Sequence, residues 1–412
     1  MEASNRLGGR ACSFREKTTG ALVDNCQHVI LGCCRAAIDF FTKIGSIGLV
    51  EFSEAVDFVG SDGRRLRIRA SRLPAPLHLL PSVMRGGYLP LVERLRLTAV
   101  MARVAARPPA RGESAGSYLR SLGCSDELMR AVFEPILTAA VNEATDEASA
   151  ECARMVIVKS LMEGRDGYRV GVPRSPLSEL IAVPAARYLC DRGGVVKTGA
   201  RVERLEFGGR EVQSLCLTSG ERIRPDLCVT AVPPLALDAM GFETEASGDL
   251  VWKPIVSAHL FFKEEVANLD HACVVGEPFG WVFNKSRDVG LSGGYLQAVG
   301  SAAANLARLK KSDLVYLALR SAARAAPEVE KAFLAHALIL RQASATFSTS
   351  PPSTAMRPPA TTEHANLFLA GDWTATGWPA TIESAVRSGN AAAEAVIARV
   401  AGESARLEVR TA

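Results

Sequence analysis

With 412 residues, 48% of them hydrophobic and 22% charged, the chain is long enough for two packed cores and too apolar to be disordered as a whole. Its 48 basic residues nearly balance 44 acidic ones and no basic block stands alone, so there is no nucleic-acid footprint. The ten cysteines are scattered, only Cys33 and Cys34 are adjacent, and no CxxC spacing offers a metal site, so reduced thiols and no metal are expected.

In chain order, the first ten residues are dense in glycine and charge. Leu22 to Cys34 reads as strand and turn around Asp24-Asn25, and a helix follows through Ala36, Ile38, Phe40 and Phe41 to Gly45. From about Asp62 to Gly171 the pattern predicts helices punctuated by Pro and Gly. Within it, Pro90 to Ala110, ending at Pro108-Pro109, has two readings: an amphipathic helix packed on a core, or a basic apolar surface that touches lipid headgroups, the latter including Pro90–Arg107. Leu177 to Cys190 predicts a helix, stopped by Gly193-Gly194, then a strand at Val195–Lys197 and another with apolar residues at Val202, Leu205 and Phe207. Leu227 to Val232 predicts a buried strand ended by Pro233-Pro234. Between Leu250 and Ser350 the pattern gives strands at Ser257–Phe262 and Gly280–Phe283 and a helix from Ala302 to Ala335. Pro351 to Pro359 is a proline-rich connector. There is no internal repeat, and no stretch approaches the roughly 18 apolar residues of a membrane span.

The C-terminal part carries the strongest chemical signal. Asn366-Leu-Phe-Leu-Ala-Gly-Asp372 is a short apolar strand, Trp373 to Ala380 a turn, and Thr381 to Val396 a helix. A strand feeding such a turn into a helix gathers backbone N–H groups and the positive helix end at one spot. Asp372 can accept hydrogen bonds from a polyol chain, and Ala385, Ser388, Gly389 and Ala392 allow close packing of the helix on a sheet. The string resembles the C-terminal FAD motif of the flavin amine oxidase and phytoene desaturase superfamily. Its wording, Ala-Gly-Asp-Trp-Thr-x-Thr-Gly-Trp-Pro-Ala-Thr-Ile-Glu, looks most like the squalene-associated desaturases, the hydroxysqualene dehydroxylases. The resemblance implies cofactor contacts at Gly371, Asp372, Trp378 and Ile382.

The other end agrees. Glu2-Ala-Ser-Asn-Arg-Leu-Gly-Gly-Arg10 resembles the superfamily's Glu-x-x-x-Arg-x-Gly-Gly-Arg segment. By that resemblance Glu2 binds the adenosine ribose, the Gly8-Gly9 pair approaches the pyrophosphate, Arg10 supplies charge-assisted bonds, and Arg6 stands beside them. Asp24-Asn-Cys-Gln-His28 resembles a segment near the isoalloxazine, Asp-x-Gly-Gln-His, which implies a cofactor contact at Gln27. Cys26 stands where that family has Gly, and its thiol side chain would crowd a close backbone approach there. Val202 falls where the family's strand touches adenine through its backbone. His28 is the candidate acid or base, with Asp24 and Glu383 as others. His259, His271, His336 and His364 have no motif around them and read as structural or exposed.

The implied fold is α/β: a Rossmann-like FAD-binding domain from residues 1–60, 190–248 and 360–412, and a mixed α+β substrate domain from 61–189 and 249–359. The family's first strand, its Gly-x-Gly-x-x-Gly turn and the helix after it have no counterpart upstream of Glu2, so the chain as written is expected to bind FAD poorly. The implied reaction is reductive dehydroxylation of hydroxysqualene to squalene, in which reduced flavin gives hydride to an allylic cation. Two alternatives stay open: a carotenoid-type desaturase or amine oxidase-like flavoenzyme, and a non-catalytic truncated paralogue. The implied partners are a small isoprenoid substrate and no nucleic acid. The expected location is cytoplasmic, with peripheral contact on the inner face of the membrane.

Overall fold

The computed structural model describes all residues except 245, 247–249, 289–292 and 412, and residues 403–411 as backbone only. The expected domain boundary at 248/249 lies outside the described residues. Contacts divide the chain into a smaller unit, Met1–Leu7, Tyr188–Val251 and Pro352–Ala412, and a larger one, Gly8–Arg187 and Trp252–Pro351. Residues 8–60 thus group with the larger unit, whereas the sequence reading assigned 1–60 to the FAD-binding domain. Their strands supply the reason, because Ala55–Val59 pairs with His271–Val274 and Ile30–Leu31 pairs with Val170–Pro173.

In the smaller unit, Val202–Gly208 and Glu211–Leu217 form an antiparallel hairpin, extended by Arg222–Ile223. A register shift between Val202 and Arg204 explains the uneven spacing of Val202, Leu205 and Phe207, since a bulge resets which residues face the same side. Beside this hairpin in sequence, Cys228–Thr230 runs parallel to Leu367–Leu369, the pairing that an α/β crossover produces. The helix Ile382–Thr411 closes the layer by burying Ala392 against Phe368 and Ala370, with Ala395 and Val396 alongside. Two expectations are corrected here. Residues 195–197 form no strand; Lys197 instead takes the Glu2 N–H on its carbonyl. The strand at Cys228–Thr230 is not buried: Val229 is 49% exposed, because among the described residues Cys228–Thr230 pairs with Leu367–Leu369 alone.

The larger unit is built on a seven-stranded sheet. Its order is Leu334–Phe347, Trp252–Phe262, Tyr295–Gly300, Trp281–Asn284, His271–Val274, Ala55–Val59 and Arg65–Arg69. Period-two alternation sorts the Trp252–Phe262 strand into two faces. Val256, Ala258, Leu260 and Phe262 join a core with Leu314, Ala318, Ala322 and Ala325, one stripe of the helix Lys311–Ala325. Ser257, His259 and Phe261 take the other face, where His259 lies opposite Gln297 and Phe261 opposite Tyr295. A second core, including Leu97, Val100, Tyr118, Leu137 and Ile157, holds a helical layer that contains Leu91–Ala106 and Ala150–Leu161.

The structure corrects two further expectations. The stretch from Asp62 to Gly171 is not helical throughout, since Arg65–Arg69 is the edge strand of the sheet. The expected helix at Ala302–Ala335 is confined to Lys311–Ala325, and Pro327 then opens a short 3-10 turn. Leu334–Phe347 is a strand of 14 residues.

Candidate functional site: a glycine turn, a helix start and a buried carboxamide pair

The sequence-predicted cofactor residues fall into two groups, one in each unit. In the smaller unit, the Glu2 N–H donates to the Lys197 carbonyl at 2.8 Å, and the Ala200 N–H returns a bond to the Glu2 carbonyl at 2.9 Å. This brings Glu2 within two residues of the strand that starts at Val202. One Glu2 carboxylate oxygen accepts the Ser4 N–H at 2.8 Å, which fixes the side chain beside its own backbone. Arg6 is exposed, and its N–H donates to the Ser4 hydroxyl at 3.2 Å.

The C-terminal motif forms the turn expected of it. Gly371 has φ +125°, and a Cβ there would stand 2.5 Å from Trp373 Nε1, so only glycine fits. Its N–H donates to Ser388 Oγ at 2.7 Å, which ties the strand end to the second turn of the following helix. Trp373 is fully buried and donates from Nε1 to the Val232 carbonyl at 3.0 Å. Asp372 is buried, and its carbonyl accepts from Arg357 Nη1 at 3.2 Å and Ser384 Oγ at 3.3 Å. The same Arg357 nitrogen donates to the Trp378 carbonyl at 2.9 Å, so one guanidinium staples both ends of the turn. Trp378 in turn lies under the Arg387 guanidinium at 4.9 Å, which buried Glu383 holds through a 2.7 Å bond. Ile382 begins the helix, whose start Thr381 caps through the Ser384 N–H at 3.3 Å. Glu383 is therefore an anchor for Arg387 in this structure.

The larger unit holds the rest. Gly8 has φ +108°, and a Cβ on it would meet the Ala11 carbonyl oxygen at 2.6 Å; Gly9 has φ +55° and open space around it. Arg10 donates to the Ala345 carbonyl at 2.9 Å and lies 5.5 Å and 5.6 Å from the Trp252 and Phe347 ring centres. Asn25 Nδ2 donates to the Arg10 carbonyl, and the Asn25 N–H to the Cys12 carbonyl at 3.0 Å. The glycine turn and the Asp24–His28 segment are thereby joined.

Asp24 is buried and accepts from Ser13 Oγ at 2.7 Å and the Leu177 N–H at 2.9 Å, which makes it a structural clamp. Burial pushes the Cys26 thiol up to about 12, so it stays neutral, and Asp24 adds to this. His28 Nδ1 lies 3.1 Å from the Cys26 carbonyl, which can only accept, so Nδ1 carries the proton and Nε2 the lone pair. Burial also lowers the His28 pKa, so the ring is neutral near pH 7 and is not a standing acid. Gln27 spends Nε2 on the His28 carbonyl at 2.9 Å. Its Oε1 and Asn25 Oδ1 are buried acceptors without a hydrogen-bond partner.

Taken by itself, each group suits part of FAD. The smaller unit offers a glycine turn beside a long helix start, and the larger unit offers a glycine turn and buried amide oxygens that can accept from ring N–H or ribityl hydroxyls. Sequence reasoning missed Arg357 and the Asn25 carboxamide, and it read Ser388 as a small packing residue only. Arg357 sits in the proline-rich connector, where a lone basic residue between prolines was the one available signal. His259, read as structural or exposed, is fully buried, as is His271 at 4% exposure.

The comparisons with known proteins agree with this geometry. The model of the family "Flavin containing amine oxidoreductase" matches residues 1–397. The hydroxysqualene dehydroxylase of Rhodopseudomonas palustris is 31% identical over 96% of this chain and 92% of that protein. That of Sinorhizobium fredii is 29% identical over 95% and 91%. A solved triple mutant of putrescine oxidase superposes with a TM-score of 0.68 at 15% identity, covering 97% of this chain and 92% of that one, which shows a shared fold. The chain belongs to the flavin containing amine oxidoreductase family and is an FAD-dependent oxidoreductase.

Proposed function

We propose that this chain catalyses reductive dehydroxylation of a C30 isoprenoid alcohol, hydroxysqualene, to squalene. The observation that carries this reading is the 31% identity, over 96% of the chain, to a protein named hydroxysqualene dehydroxylase. The reaction replaces a C–OH bond by C–H and releases water, so it consumes two electrons and two protons. Bound and reduced, FAD supplies the hydride.

The chain's own residues have binding and orienting roles. Glu2 and the Val202 backbone hold the adenosine, and Arg6, Gly8, Gly9 and Arg10 serve the pyrophosphate. Gly371, Asp372, Trp378 and Ile382 hold the ribityl and ring portions, and Gln27 offers its free Oε1 to a ring donor. His28, neutral with its lone pair on Nε2, accepts a hydrogen bond or a transient proton; it does not store one.

The sheet face that carries Phe261, Tyr295, Trp281 and Phe283 supports an apolar substrate by its stacked aromatic rings, although Ser257, His259 and Gln297 share that face. Co-expression with an enzyme that makes hydroxysqualene tests the reading. Accumulated squalene in the cell extract is expected. Unchanged hydroxysqualene, with flavin-loaded protein present in the same cells, would reject it.

A further inference from the structure

We infer that the region around the strand Arg65–Arg69 and the start of the helix Leu91–Ala106 is a docking surface for a bilayer containing anionic phospholipid. The inference rests on the apolar substrate proposed above only for its purpose; the surface itself stands on charge and exposure.

A cleft of about 470 Å³ is lined by Arg65, Arg67, Arg69 and Arg85, with Leu66, Ser82 and Gly86-Gly87, and among the described residues no carboxylate lines it. The alternation of the strand explains the arginines: Leu66 is buried on one side while Arg65, Arg67 and Arg69 project into solvent from the other. Three of the four cations have partners. Arg65 caps the Ala325 carbonyl at 2.6 Å, Arg67 lies 3.6 Å from Asp57, and Arg69 pairs with Glu54. Both of those arginines remain more than 60% exposed, so water screens these pairs and the guanidiniums can exchange a carboxylate for a phosphate.

The apolar half of the surface adjoins this cleft. Arg94 donates to the Met84 carbonyl at 3.1 Å and the Leu89 carbonyl at 2.8 Å, and its guanidinium lies 3.3 Å from the Cβ position of Gly86. That bracket fixes the first turns of the helix against the cleft wall. The helix buries Glu93, Leu97, Val100 and Val104 and leaves Leu91, Val92 and Leu95 each more than half exposed. Leu77, in the turn just before Ser82, is exposed as well. Three large apolar side chains clustered on one helix end thus keep more than half of their surface in solvent. Next to a basic cleft they match a headgroup layer with acyl chains below it. An acidic protein would satisfy the arginines but not the leucines.

Vesicle flotation of the full-length protein tests this, with vesicles of phosphatidylcholine alone and of phosphatidylcholine with phosphatidylglycerol. Binding is expected on the second and weak on the first, and to fall with added salt. Arg67→Gln and Arg85→Gln should each lower the partition by roughly fivefold, since each removes about one interfacial charge. Leu91→Ser with Leu95→Ser should lower it on anionic vesicles while leaving the salt dependence intact. All four positions are exposed, and a circular dichroism spectrum checks each fold. Equal recovery with and without phosphatidylglycerol, or variants that bind like the parent, would overturn the inference. So would stabilisation by inorganic pyrophosphate, lost in Arg85→Gln, from a protein that leaves vesicles unbound, because the cleft would then serve a soluble anion. Flotation needs neither flavin nor substrate, so a protein that binds vesicles but leaves hydroxysqualene unchanged would keep this surface and lose the proposed reaction.

Discussion

Asp24 binds the backbone of Leu177 across 153 residues of sequence, with its Oδ1 2.9 Å from the Leu177 nitrogen and 2.7 Å from Ser13 Oγ. One carboxylate oxygen therefore joins a hairpin strand to the loop before Ser178, whose own N–H and hydroxyl exchange bonds with Ser13 at 3.1 Å and 3.0 Å. Asp24→Ala leaves these buried donors unpaired and should cost about 2–3 kcal/mol of stability. Asp24→Asn keeps an acceptor and should recover part of the loss. Urea unfolding of the three proteins is the check, and equal midpoints would show the clamp to be idle.

The turn after Leu367–Leu369 should be intolerant at one glycine and tolerant at another. Gly371→Ala places a methyl 2.5 Å from Trp373 Nε1 at φ +125°, whereas Gly377, at φ +74°, has nothing within 4 Å of its Cβ position. Flavin content per chain should drop sharply in Gly371→Ala and little in Gly377→Ala, where the penalty is about 1 kcal/mol of backbone strain. Asp372→Ala should weaken FAD affinity while the unfolding midpoint moves little. Absorbance spectra of the purified variants, with titration of added FAD, give both quantities.

His259 sets an acid limit on the larger unit. Burial holds its pKa at about 3, against 6.5 for the free side chain, and its Nδ1 lies 2.6 Å from the Tyr295 hydroxyl. The folded state resists the proton that the unfolded chain takes up, so this contribution is complete above pH 6.5 and is lost as pH falls toward 3. His259→Gln should flatten the decline in unfolding midpoint between these limits. A parallel decline in parent and variant would assign the acid sensitivity elsewhere.

How much of this was legible in sequence varies with locality. The strand, turn and helix from Leu367 onward were readable because Gly371-Asp372, the capping Thr381 and the small residues Ser388 and Ala392 are local signals. The strand Arg65–Arg69 was missed even though its R-L-R-I-R alternation has period two, because Pro, Gly and helix formers surround it and its partner lies beyond a turn. Leu334–Phe347 was not read as a strand, and its first two residues fell in the expected helix, because its alanines and leucines suit either state and only its antiparallel pairing with Trp252–Phe262 decides for strand. Arg357 and Asn25 act through backbone carbonyls distant in sequence, a role no residue pattern announces.

In the proposed reaction this flavoprotein removes a hydroxyl from an isoprenoid by giving it two electrons. Anaerobic single turnover tests it most directly: protein loaded with FAD is reduced, mixed with hydroxysqualene in detergent, and followed by flavin absorbance together with extraction of the lipid. Flavin reoxidation is expected in step with squalene, one molecule formed for each flavin oxidised. Flavin that stays reduced while hydroxysqualene is recovered intact would contradict it.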